Sequence, residues 1–216
     1  MNRPLDSVSV RGPSTLTARR IAMLVTHGVE LDELVRAESA LRSAGATCVR
    51  VGPIPGSVTA MRQLEHAADV RVAAPLDSVV AEDFDGLYVS GGAFHADALR
   101  ASRRAIALVE MFVSQRKPVA AVGHAAALLI EARAVRGARV ASAPTLATDL
   151  ANAGAQFLDC DVLVDRGLLT GRGVPAFYAA LREHFEAKPS ASGTRWTDLI
   201  GRLLPNTAST PSDARA

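Results

Sequence analysis

Hydrophobic positions along the chain change period several times, and each change predicts an element. Arg20–Thr26 is a continuous apolar run, the pattern of a strand buried on both faces in a parallel sheet. After the polar loop His27–Glu30, residues Leu31, Leu34, Val35, Glu38 and Leu41 fall at helical spacing, and Gly45 supplies a stop signal. Ala46–Val51 is again strand-like, so the opening predicts a β-α-β unit and a parallel sheet. Residues 52–82 contain Pro53, Pro55, Gly56 and Pro75 and read as an excursion built on a hairpin. Gly86–Ser90 predicts the next strand, ending at Gly91-Gly92. Asp97–Gln115 predicts one helix, Val119–Val122 a very short strand, and His124–Ala132 a helix that begins directly after it. Val140–Ser142, Val162–Val164 and Leu168–Thr170 predict further short strands, and Val174–Phe185 a closing helix. There is no internal repeat. The expected fold is α/β: a flavodoxin-like three-layer sandwich with a mostly parallel sheet and helices on both faces.

Length and composition refine this picture. A chain of 216 residues suits one such domain, expected at residues 20–186. A Ser-, Thr-, Pro- and Arg-rich arm at 1–19 is expected to be flexible, and a polar tail occupies 187–216, with an amphipathic helical stretch at Trp196–Leu204. Hydrophobic residues make up 49% and aromatics only 4%, so the core must be packed from Ala, Val and Leu. The net charge of +2 comes from the ends: four arginines against one aspartate in the first 20 residues, four basic against two acidic residues in 187–216. The central part is mildly acidic, which speaks against a nucleic-acid-binding face. No apolar run of about 18 residues predicts a membrane span, and Met1–Arg20 has no apolar core of a secretory signal. Two cysteines, Cys48 and Cys160, make no disulfide framework, and a reducing cytoplasm is expected.

Ligands of parallel α/β sheets bind at the carboxyl ends of the strands. Three predicted strand ends carry polar groups: His27, Gly28 and Glu30; Gly91, Gly92, His95 and Asp97; Gly123 and His124. The junction Val122–Gly123–His124 is abrupt, the kind of strained turn on which α/β enzymes present a nucleophile. Singly, each piece has a plain structural use. Gly91-Gly92 makes a tight turn, Glu30 caps a helix, His124 sits at a helix start, and the cysteines fill core or edge positions. Their convergence on one sheet edge is what points to a site.

Five ordered segments carry a resemblance: THGVELDEL (26–34), VTAMRQLEHAADV (58–70), FDGLYVSGGAFHADALR (84–100), KPVAAVGHAAALLIEA (117–132) and PTLATDLANAGAQFLDCDVLVDRGLLTGR (144–172). Over roughly residues 20–186 the chain resembles the PfpI/ThiJ family, the intracellular-protease and deglycase-like branch of the class I glutamine-amidotransferase-like fold. The resemblance implies that Glu30 matches the first-loop glutamate that holds the family's thiol. It implies that His124 matches the histidine after the nucleophile, and Asp97 the third carboxylate, offered across a subunit contact. A homo-oligomer, a dimer foremost, follows from that contact. The nucleophilic cysteine itself matches Gly123, and the usual His-Gly-Pro reads His124-Ala125-Ala126. His27 and His95 replace other polar residues around the pocket.

That departure shapes the expected function. Glycine supplies no thiolate, so the family's protease, glyoxalase and deglycase chemistry is not expected in its cysteine-dependent form. The first expectation is a pseudoenzyme with a binding, regulatory or accessory role, taking a small-molecule ligand at the elbow pocket and no cofactor. The second is a cysteine-independent hydrolase or lyase acting on a small carbonyl compound, with His124 as general base beside Glu30 and Asp97. The third is a divalent-metal site built from His27, His95, His124 and Glu30.

Overall fold

The computed structural model of the chain describes residues 16–186. The elements in chain order are β1 (Arg20–Leu24), β2 (Val29–Glu30), α1 (Leu31–Ser43), β3 (Thr47–Gly52), β4 (Ser57–Arg62), β5 (Glu65–Arg71), β6 (Ala74–Pro75), β7 (Gly86–Val89), α2 (Ala93–Arg100) and α3 (Arg103–Ser114). Then come β8 (Val119–Val122), α4 (Ala126–Glu131), β9 (Arg139–Val140), α5 (Ala147–Asn152), β10 (Gln156–Phe157), β11 (Val162–Asp165), β12 (Leu168–Gly171) and α6 (Pro175–Glu186). The central sheet runs β11-β12-β8-β7-β1-β3-β6, parallel throughout except for the antiparallel β11–β12 pair. This is the expected α/β sandwich.

Alternation along the strands builds two cores. Ala22 and Leu24 of β1 face one side, packed with Leu87, Val89, Val119 and Ala121 under α2, α3 and α4. Ile21 and Met23 face the other, against Leu34, Ala37 and Leu41 of α1 and Phe177, Leu181 and Phe185 of α6. Each large buried side chain contributes about 1.5–3 kcal/mol relative to exposure. Glu38 is a buried carboxylate on α1, and Arg42 and Arg50 neutralise it at 2.8 and 2.6 Å, tying the helix to β3.

Several expectations change in detail. The residues 52–82 do form a hairpin, β4–β5, but β2 joins it in a separate three-stranded sheet. The segment 27–30, expected as a loop, thus contains a strand. The single helix expected over 97–115 is two, because the Ser102 hydroxyl accepts a hydrogen bond from Ala105 N at 3.3 Å and starts a new helix. The short helix α5 is not marked by the hydrophobic pattern. Leu16, within the expected arm, is fully buried and its amide donates to Ala44 O at 2.6 Å. Trp196–Leu204 lies outside the described residues. No helix among the described residues is long and apolar enough to cross a membrane.

Candidate functional site

The all-buried strand β8 ends at Val122, and the chain turns at once through a 3-10 turn, Gly123–Ala125, into α4. Gly123 sits at φ +57°, in the left-handed region where a side chain costs of order 1 kcal/mol. A Cβ placed there meets a single neighbour within 4 Å, Glu33 Oε1 at 3.9 Å. Among the described residues the elbow therefore has room for a Cβ, faced by a carboxyl group. His124, half-buried, places Nε2 3.2 Å from Thr145 Oγ1.

The carboxyl at the elbow belongs to Glu33, where Glu30 was expected. Glu33 lies in the first turn of α1, and its Oε2 accepts the Gly91 amide at 2.8 Å. Glycines surround it. A Cβ on Gly91 would overlap Oε2, and one on Gly173 would come within 2.6 Å of Oε1. Burial pushes the Glu33 pKa up to about 7; the Gly91 amide opposes this and the charge of Glu30 adds to it. Glu30 instead turns to the hairpin, where its Oε2 accepts the Gln63 amide at 3.1 Å, and partial burial raises its pKa. The sequence shows Glu30, Asp32 and Glu33 within four residues. Only the start of α1 at Leu31 decides which of them is carried back over the sheet edge.

The other expected residues are dispersed. His27 is exposed and its Nδ1 accepts the Thr59 amide at 3.0 Å, a tie to β4. His95 is fully buried, neither ring nitrogen has a hydrogen-bond partner of normal geometry among the described residues, and burial pushes its pKa down to about 4. It is a neutral core side chain. Asp97 is exposed on α2, and its carboxylate makes no hydrogen bond or ion pair among the described residues. Gly92, at φ +104°, packs against the Gly28 carbonyl so closely that no side chain fits, which brings the first and third strand ends together. The metal reading is corrected: among the described residues no three His, Cys, Asp or Glu side chains are grouped to hold an ion. Cys48, on β3, is three strands away from β8, and burial pushes its thiol up to about 11. Cys160 is half-buried with Sγ 3.7 Å from Val162 O. Thr145 and Gly173 were not singled out from the sequence, because nothing local marks a loop residue that folding brings to a distant strand end.

Comparison with known proteins gives one consistent answer. The DJ-1/PfpI family matches residues 19–187. "General stress protein 18" of Bacillus subtilis (strain 168) is 33% identical over 163 residues, covering 74% of this chain and 93% of that protein. "Protein/nucleic acid deglycase 2" of Escherichia coli (strain K12) is 32% identical over 164 residues, covering 74% and 94%. Among solved structures, a two-domain protein from Anabaena variabilis with DJ-1/ThiJ/PfpI-like and ferritin-like domains superposes with a TM-score of 0.73 at 25% identity. It is matched over 88% of this chain, which spans 56% of that longer one. Schizosaccharomyces pombe DJ-1 superposes with a TM-score of 0.67 at 15% identity, covering 88% of this chain and all of that one, a likeness of fold.

Proposed function

Because the chain belongs to the DJ-1/PfpI family, we propose that it works on a small carbonyl compound at the family's elbow by acid–base chemistry, without a thiol. The observation that carries this reading is Glu33: a carboxyl with a pKa near 7, its Oε1 directed at the open space above Gly123. A carboxyl poised near neutrality in a glycine-lined recess is suited to move a proton. Protonated Glu33 donates to a carbonyl oxygen. His124, next along the chain, accepts the proton of an attacking water, and the space left by the missing side chain at Gly123 admits that water. Asp97 on the exposed face of α2 is assigned to a subunit contact in a homodimer, following the family pattern, and the two free thiols suit a reducing cytoplasm.

The deglycase name of a relative makes methylglyoxal and its adducts with amines the first compounds to test. Turnover is expected to survive replacement of both Cys48 and Cys160 by alanine and to fall at least tenfold in Glu33→Gln. Turnover that disappears with either cysteine would remove the reading. A second reading, ligand binding without turnover, is favoured by Gly123 itself, which has no side chain to react. Calorimetric binding with no product over hours would select it.

A further inference from the structure

One hydroxyl stands at the elbow without a part in the reaction above. Thr145 Oγ1 lies 3.2 Å from His124 Nε2, within the reach of a nucleophile and its base. Thr145 is solvent-exposed. Its position is fixed from both sides. Ala141 N donates to the buried Thr170 hydroxyl at 3.1 Å, and Ala143 N reaches the carbonyl of Gly123 itself at 3.4 Å. Pro144 restricts the backbone at the start of the 3-10 turn Pro144–Leu146, and Leu146 anchors that turn in the core. Leu146 N closes the turn on Ala143 O at 3.0 Å. A reactive group held by its flanking residues keeps its geometry without help from substrate. The pairing joins loop 141–146 to the elbow across 21 positions of sequence.

We propose that Thr145 is a nucleophile, activated by His124, that accepts the acyl group of small carboxylic esters. The proposal rests on the reading of the elbow as a thiol-free site. With the ring proton on Nδ1, the Nε2 lone pair receives the Thr145 proton as Oγ1 attacks the ester carbonyl carbon. A new Oγ1–C bond forms. The bond from carbon to the alcohol oxygen then breaks, and the leaving alkoxide takes the proton from Nε2. Water next attacks the acyl-threonine carbon, passing one proton to Nε2. The carbon–Oγ1 bond breaks, Thr145 recovers its proton from His124, and a carboxylic acid is released. No oxidant, metal or external base enters the balance. Small esters fit, since Thr145 is exposed and an ester carbonyl reaches its hydroxyl from solvent.

The test uses the full chain with Cys48→Ala and Cys160→Ala, so that no thiol can be acylated, and 4-nitrophenyl acetate as probe. The expected result is an initial burst of nitrophenolate with acetyl mapped to Thr145 by peptide mass spectrometry. Thr145→Val, an isosteric loss of the hydroxyl at an exposed position, lowers the burst at least tenfold, and Thr145→Ser restores it. Far-ultraviolet circular dichroism checks that each variant is folded. Acetyl found only on lysines or on His124, or an undiminished burst in Thr145→Val, overturns the proposal. The Glu33→Gln assay with methylglyoxal is read in parallel. If Glu33→Gln abolishes methylglyoxal turnover while Thr145 takes no acetyl, only the threonine proposal has failed. If neither chemistry is seen, the acid–base reading of the elbow has failed with it.

Discussion

At the scale of single residues, Glu33, to which we assign the proton transfer, carries a cost. Its free pKa of 4.5 rises to about 7 on burial. The folded state therefore holds the proton more tightly than the unfolded chain does. The penalty is absent below about pH 4.5, grows as pH rises, and is fully present above about 7, where it amounts to about 3 kcal/mol. Glu33→Gln removes it: urea midpoints of variant and parent are expected to be close at pH 4 and to separate in favour of the variant at pH 8. Equal separation at both pH values would contradict the burial of a protonated carboxyl. Gly123→Cys probes the same space from the other side. The Cβ meets only Glu33 Oε1 at 3.9 Å, so the variant folds at a cost of about 1 kcal/mol for its positive φ. Its thiol is expected to react with iodoacetamide faster than Cys48, whose own pKa lies near 11. A slower reaction than that of Cys48 would show that the elbow is closed to solvent. Gly173→Ala, by contrast, drives a methyl to 2.6 Å from Oε1 and is expected to lower turnover by displacing the carboxyl, with kcat falling more than KM rises.

At the scale of elements, the ion pairs between α1 and β3 show how a charged residue is kept in a small-residue core. The Glu38 carboxylate is about nine-tenths buried, and burial alone would raise its pKa. The hydrogen bonds from Arg50 and Arg42 outweigh that and hold it below the usual carboxylate range. Its contribution is therefore present above about pH 4.5 and is lost as pH falls through the lowered folded value. Arg50→Met leaves the carboxylate with one partner, and a loss of about 1–3 kcal/mol at pH 7 is expected from denaturant unfolding. The loss should shrink in acid, where Glu38 is protonated in both proteins. A pH-independent loss would assign the effect to packing. The break between α2 and α3 at Ser102 follows a similar local logic: one side-chain cap outweighs an apolar periodicity that runs across it.

At the scale of the whole molecule, two sequence-distant loops meet the elbow from either side: Gly91-Gly92 through Glu33, and residues 141–146 through His124. The sheet order makes this happen, because β7 and β8 are neighbours and their carboxyl ends open on the same edge. Asp97 and Phe94, three positions apart on α2, are both exposed. A homodimer in which this face is covered is expected, and light scattering at micromolar concentration checks it. A monomer mass would detach Asp97 from the site.

What the sequence determined by itself is what repeats locally. The apolar runs of β1, β7 and β8, the helical spacing of α1, and the turn-rich segment 52–82 each encode an element through neighbours two to four positions away. The same local order, with Gly123 after Val122, located the elbow. Only the tertiary structure decided which carboxyl faces it. Glu30 and Glu33 are one helical turn apart, and the start of α1 at Leu31 sends one to the hairpin and the other over Gly123. It also decided that His95 is a neutral core residue and that Thr145 pairs with His124. Both depend on contacts between segments far apart in the chain, where no periodicity reaches and burial sets the charge.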